Sequence, residues 1–362
     1  MKNVFASLLV FFCFVAGPLF ADDFSHTQAV PEYEGWLSIT TQHTRIIFEP
    51  HAREYALEVA AFADDVFEQV SDLLEYSPDE QVQVVLVSRT AWANGFYRPF
   101  PHSVTLFAVS PAERFLGSRS RQWLRRLFTH ELVHYVHLSR PIGIFGLLSH
   151  VFGPDTVALN SPLMPLWWIE GLAVWAETNL CDGPDGSCAG GRGDSPLFEM
   201  SYRAPLLEDE FWSYAQTFYQ SSFPPSNRAY VSGYLLVDYL IEKFGRESFV
   251  RINNRFVWLP FFGLGNAIKA ETGVDDEQLF SDMKEWLAQK YTDLEIVIED
   301  EQGRRLSPQQ AGTFAVPYPV PEGFLGYART LTDRGSIVRY SADGKQLVQE
   351  DVVETGIASD RL

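Results

Sequence analysis

A chain of 362 residues, 46% of them apolar, is long enough to bury one large core or two smaller ones. Its formal net charge of −19 argues against nucleic acid or an anionic membrane as a general partner.

Residues 1–21 read as a signal peptide: Lys2 gives the positive start, residues 4–17 an apolar run, and Phe20-Ala21 a cleavage edge before Asp22-Asp23. The run is too short to span a bilayer, and no later stretch is long enough. The mature protein is therefore expected to be exported, periplasmic or extracellular, without a transmembrane span. Losing Lys2 with the leader makes it one charge more negative. Cys13 would leave too. Cys181 and Cys188 flank the turn-rich spacer Asp182-Gly183-Pro184-Asp185-Gly186-Ser187 and are expected to form a local disulfide.

Across residues 36–50 the alternation of Leu37 and Ile39, then Thr44, Ile46 and Phe48, predicts a strand or hairpin. Residues 54–76 have helical periodicity, and residues 81–87 are a β-branched strand. A Gly-containing connection follows, and residues 103–109 read as an edge strand, free to accept an extended peptide or simply covered. Arg114, Arg119, Arg121, Arg125 and Arg126 lead into the next helix and read as its solvated face rather than an anionic-substrate patch. This order of elements is α+β.

That next helix contains Thr129-His130-Glu131-Leu132-Val133-His134. Four residues apart, His130 and His134 share a helix face, so two imidazole nitrogens can meet one metal ion with Glu131 beside them. A catalytic zinc site normally has three protein ligands, so one must come from elsewhere. Glu170 stands among Trp168, Ile169, Leu172 and Ala173, where a buried carboxylate is costly unless paired or bound to metal, and is assigned as the third ligand. The extended three-histidine zinc motif fails, because its next two positions are His137 and Arg140. His137 is expected at the surface or just behind the ligands.

Residues 142–152 lack Asp, Glu, Lys and Arg, which suits dipping into a membrane or walling the substrate pocket; packing over the active site is the expectation. Gly190-Gly191-Arg192-Gly193-Asp194 reads as a flexible loop near the cleft mouth, its Arg-Gly-Asp a chance match to an adhesion tripeptide. An α-rich lobe follows, with helices at 208–219, 230–244, 247–257, 264–272 and 275–291, punctuated by Gly245 and Gly273. Residues 304–322 read as a linker; residues 326–329 and 336–348 read as short strands with an Asp343-Gly344 turn. The expected domains are a leader (1–21), a main domain (22–300), and a linker with a β-strand extension (301–362).

The run Trp167-Trp168-Ile169-Glu170-Gly171-Leu172-Ala173, downstream of the HExxH helix, resembles the gluzincin metallopeptidases, the thermolysin-like and aminopeptidase-like group. Arg228-Ala229-Tyr230-Val231-Ser232-Gly233-Tyr234 resembles that group's Tyr-x-x-Gly segment. The resemblance covers roughly residues 37–291 and looks most like exported bacterial proteins in which such a domain precedes a β-propeller. It implies a two-lobed thermolysin-like zincin: a small mixed sheet plus metal helix, then an α-rich lobe, with a short β-rich extension. It also implies one Zn2+ per chain on His130, His134 and Glu170, with Glu131 as general base and Tyr230 as oxyanion donor. Glu177 would accept the second N–H of a histidine ligand. The substrate would be a peptide or protein. The C-terminal strands resemble part of a propeller blade, so a truncated β-propeller or an envelope protein is the partner the resemblance suggests. Aminopeptidases of the group carry a Gly-x-Met-x-Asn segment that residues 94–102 lack, which favours an endopeptidase. Two alternatives stay open: a catalytically silent zinc-binding scaffold, and hydrolysis of a bond other than a peptide.

Overall fold

The computed structural model describes residues 35–88, 94–109, 123–180, 190–218, 225–292, 312–321, 323–330, 336–341 and 346–349. The leader, Cys181, Cys188, the Asp343-Gly344 turn, and Arg114, Arg119 and Arg121 lie outside these residues. The chain divides into two compact units between Tyr291 and Thr292.

The first unit is α+β. Its five strands are β1 (Leu37–Thr40), β2 (Thr44–Phe48), β3 (Val82–Val87), β4 (Gly95–Pro99) and β5 (His102–Phe107), in sheet order β1-β2-β3-β5-β4. β2, β3 and β5 run parallel, with β1 and β4 antiparallel at the two edges. Parallel neighbours need a crossover, and α1 (Arg53–Leu74) supplies it between β2 and β3. Its buried residues, Ala56, Val59, Ala63, Val66, Phe67 and Val70, recur at helical spacing. Glu75, in left-handed backbone at φ 49°, ends the helix with its N–H directed at the Asp72 carbonyl.

The strand expected at 103–109 is β5, and it is interior. The sheet edge is β4, which lies inside the Gly-containing connection. The strand pattern is hidden there because Gly95 and Pro99 bound it and leave only Phe96, Tyr97 and Arg98 between them. Gly95 lets the edge strand approach the helix α2 (Trp123–Leu138) closely. A Cβ at that position would stand 3.0 Å from Leu127 and 3.2 Å from Glu131 Cγ.

Every residue of α2 except Leu127 is buried. This overturns the reading of Arg125 and Arg126 as a solvated face. The helix runs through the centre of the unit, and the Arg125 stem is covered while its Nη2 reaches Asp65 Oδ2 on α1 at 2.6 Å. After α2 come α3 (Gly143–Phe152), a 3-10 stretch (Pro154–Leu163) and α4 (Leu166–Asn179). The expectation that residues 142–152 pack over an active site fails for most of α3: only Phe145 and Gly146 are buried.

Further helices are α5 (Pro196–Leu207), α6 (Arg228–Phe244), α7 (Arg246–Trp258), α8 (Leu264–Thr272) and α9 (Asp276–Thr292). Four of the five expected helices appear within two residues of their predicted bounds. The one expected at 208–219 does not: Tyr214–Phe218 is a 3-10 turn, and the α-helix lies earlier, begun by Pro196 at its first turn. Asp209, at φ 57°, turns the chain out of helix just where the acidic run was expected to start one.

α4 and α6 cross backbone to backbone. A Cβ on Gly171 would fall 2.3 Å from the Gly233 carbonyl carbon, and one on Gly233 would fall 2.2 Å from the Trp167 carbonyl oxygen. Around this crossing, Trp167 and Trp168 are fully enclosed, Trp168 stacks on Phe249 at 4.2 Å, and Trp175 Nε1 donates to Asp238 Oδ1 at 3.1 Å.

The second unit is a four-stranded antiparallel meander of β6 (Gly312–Val320), β7 (Gly323–Thr330), β8 (Ser336–Ser341) and β9 (Gln346–Gln349). β6 falls within the stretch expected to be a linker; its Pro317 and Pro319 mask the strand pattern, and the sheet accepts them because β6 is an edge. Among the described residues this is one sheet, whereas a propeller needs several.

No methyl group fits between α4 and α6, so Gly233→Ala is expected to cost at least about 2 kcal/mol of stability. Urea unfolding of the purified protein checks this; an unchanged midpoint would mean that the helices can separate freely.

Candidate metal centre

Three elements build the site. α2 presents His130 and His134 on one face, α4 brings Glu170 opposite them, and α6 brings Tyr230 alongside. His130 Nε2 lies 3.1 Å from Glu170 Oε2, His134 Nε2 lies 3.4 Å from the same oxygen, and the two Nε2 atoms are 3.2 Å apart. Tetrahedral zinc with bonds of about 2.0–2.1 Å sets its ligand atoms about 3.3–3.4 Å from one another. The triangle of two nitrogens and one carboxylate oxygen fits that ion, and at most one proton can bridge the two nitrogens. His130, His134 and Glu170 could together hold a metal ion.

Behind His130 the side chains are fixed. His130 Nδ1 lies 3.0 Å from Glu177 Oε2 and 2.9 Å from Arg192 Nη2. A ring that offers Nε2 to a metal carries its proton on Nδ1, so Nδ1–H donates to Glu177 and Arg192 is a close neighbour, not its donor. Arg192 instead grips Glu177: its backbone N–H and Nε reach Oε1 at 3.1 and 2.7 Å, and Nη2 reaches Oε2 at 3.0 Å. Its guanidinium also lies over the Tyr230 ring, 5.4 Å from the centroid.

The Gly190–Asp194 segment is therefore a built clip. A Cβ on Gly191 would strike the Thr178 backbone at 2.3 Å, and one on Gly193 would strike the Tyr234 ring at 2.6 Å. The Gly193 N–H donates to Thr178 Oγ1 and the Gly190 N–H to Asp194 Oδ2. Sequence reading left Arg192 without a role. The available signal was the glycines on either side of a lone arginine, which permit a close backbone approach to another element.

The field of the site favours a cation. Burial and Arg192 disfavour the His130 imidazolium, yet its hydrogen bonds with Glu170 and Glu177 outweigh both and raise it to about 9. A metal takes the neutral ring and replaces that proton's positive charge. Burial resists ionisation of Glu170, but the His134 and His130 imidazoles overcome it and hold the carboxyl far below the usual carboxylate range. Burial likewise opposes Glu177, and Arg192 and His130 win, bringing it to about 2. Glu131 behaves differently: burial raises its carboxyl above the ordinary value, against the pull of His130 and His134. Burial and then the Glu170 carboxylate push Tyr230 well above the usual phenol range, so its hydroxyl stays protonated.

His137 is neither a ligand nor at the surface. It is buried on α2 one turn beyond His134, against Phe249, with Nε2 2.8 Å from Asn253 Oδ1. Trp168 Nε1 donates to the same oxygen, and Nε2–H is a second donor to it. Burial lowers its pKa to about 4, against the hydrogen bond to Asn253.

No protein-family model matches the chain. An uncharacterized protein of Treponema pallidum is 26% identical over 216 residues, which is 59% of this chain and 18% of that protein. Among solved structures, the M1 zinc metallopeptidase of Deinococcus radiodurans is similar at TM-score 0.37 and 17% identity, over 69% of this chain and 50% of that one. Yeast LTA4 hydrolase in complex with bestatin is similar at TM-score 0.39 and 13% identity, over 73% of this chain and 38% of that one. The chain thus spans half or less of these proteins. Likenesses at this level say nothing of this chain's chemistry.

Two outcomes follow from the site's geometry. Arg192→Ala frees Glu177 and is expected to weaken zinc binding about 10–100-fold in chelator competition, with Arg192→Lys recovering only part because it lacks the fork. His137, depressed from its unfolded value of about 6.5, contributes stability that is full above that value and lost as pH falls toward about 4. Wild type should therefore lose up to about 3 kcal/mol more than His137→Gln over that window, read by urea unfolding at each pH.

Proposed function

We propose that this protein is a zinc-dependent peptidase. The observation that carries the reading is the convergence of His130, His134 and Glu170 beside a buried carboxylate, Glu131, on the same helix turn. Zinc held by these three residues would supply an acidified water and polarise a substrate carbonyl. Glu131, its carboxyl raised above the ordinary value by burial, takes the proton of the attacking water as the oxygen–carbon bond forms. It gives that proton to the amine nitrogen as the carbon–nitrogen bond breaks, leaving a carboxylic acid and an amine, and the acid's remaining proton then passes to the amine to give carboxylate and ammonium. Tyr230, kept protonated, donates a hydrogen bond where negative charge grows on the carbonyl oxygen. Glu177 holds the His130 ring through Nδ1–H, and Arg192 holds Glu177.

The site works in an exported protein, as residues 1–21 indicate. Its substrate is a peptide or protein, with cleavage inside the chain favoured by the missing Gly-x-Met-x-Asn segment. β4 supports the choice of substrate: it is a sheet edge running along α2 at Glu131, where an extended peptide can add as a further strand.

A mixed peptide library treated with the purified protein tests the reading. Cleavage is expected that a chelator abolishes and added zinc restores. Glu131→Gln should lower kcat/KM by about 10²–10⁴-fold with zinc content unchanged, and Tyr230→Phe should lower kcat by about 10²-fold. The cut positions separate ends from interiors. A zinc-loaded wild type that cuts nothing would leave the scaffold reading or a non-peptide substrate.

A further inference from the structure

α3 carries Ile144, Leu147, Leu148 and Val151 at i, i+3, i+4 and i+7, the spacing of an apolar helix face. Such a face ordinarily turns inward, but here Ile144, Leu147 and Val151 are exposed and Leu148 is half-buried. A second apolar segment meets it, formed by the end of α7 and the 3-10 turn Pro260–Phe262. A Cβ on Gly143 at the start of α3 would lie 2.4 Å from the Val257 carbonyl oxygen and 2.6 Å from Trp258 Cα. Leu147, Val151, Phe152, Trp258, Phe261 and Phe262 are between 61% and 76% exposed. Among the described residues of the first unit, the next most exposed large apolar side chain is Met200, at 57%. The six most exposed therefore all sit on these two adjoining segments.

Charge marks the same face. Residues 141–154 and 256–268 contain no Asp, Glu, Lys or Arg, in a chain of net charge −19. In sequence the two stretches are flanked by Arg140, Asp155, Arg255 and Lys269, of which Arg140 donates to the Leu74 carbonyl and Lys269 pairs with Asp275. Exposures this high belong to side chains that project from a convex surface rather than line a groove. A protein partner would be oriented by a polar rim and by hydrogen bonds, which this face offers sparsely. A lipid surface requires neither, and an uncharged face carrying Trp and Phe sits well at the headgroup boundary.

We propose that α3 and the Trp258–Phe262 segment seat the protein on a lipid bilayer surface of zwitterionic headgroups, without crossing it. Among the described residues no helix is long and apolar enough to cross. α3, at about 15 Å, is half the thickness of the hydrocarbon core, so it lies along the surface. The acidic remainder of the chain disfavours an anionic surface and gains nothing from one.

Flotation of the full chain with phosphatidylcholine vesicles tests this, and it is independent of the metal centre. Wild type is expected to float. Leu147→Glu/Phe262→Glu changes two exposed side chains and should retain the wild-type circular dichroism and melting temperature, while its bound fraction at fixed lipid falls at least about tenfold. Leu197→Glu, an exposed apolar position on α5, should float like wild type. Wild type that remains in the aqueous fraction overturns the proposal. Undiminished flotation of the double variant also overturns it, placing the contact elsewhere, such as the apolar run at residues 4–17. A dimer that the double variant dissociates, with no lipid bound, would assign the face to a second copy and overturn it equally.

Discussion

The Gly171–Gly233 crossing is the constraint on which the site depends. Two helices that meet backbone to backbone have no side-chain cushion to absorb a shift, so their mutual register is fixed to fractions of an ångström. Glu170 precedes one of these glycines directly, and Tyr230 stands one helical turn before the other. A carboxylate aimed at two histidines and a phenol aimed at the same centre are thus positioned by one contact. The enclosed Trp167 and Trp168 brace it from the far side, and Asn253 ties Trp168 to His137 on the metal helix itself.

Around that frame the electrostatics divide the carboxylates by role. Glu170 and Glu177 face imidazoles and a guanidinium, which stabilise their charge despite burial. Glu131 shares the same interior yet has its carboxyl raised, because burial there exceeds the attraction of the histidines. Which of these carboxyls hold their charge and which has its proton affinity raised is set by the partners each group meets rather than by residue type. Arg192 completes the balance by occupying both oxygens of Glu177, leaving the inner one aligned with His130 Nδ1.

Some of this was legible along the chain. His130, Glu131 and His134 lie within one helical turn and a half, so periodicity alone sets their faces. Glu170 betrayed itself as an acid in an apolar helix, a local conflict that only a partner resolves. Arg192 gave a weaker sign, the glycines beside it, because its partner Glu177 lies on another element and spacing along the chain does not pair the two. The edge strand β4 was missed because glycine and proline bound it, and the α5 helix because Pro196 and Pro205 disguise a helix as a loop.

By itself, the sequence determined the α+β element order, the histidine pair and the odd carboxylate, because each rests on spacing within one element or on the cost of burying one group. Tertiary structure alone decided which strand is the edge, that Arg192 grips Glu177, and that His137 is buried against Asn253. It also decided that the apolar stripe of α3 faces outward. Periodicity defines a face but not what lies opposite it, and that depends on where distant elements pack.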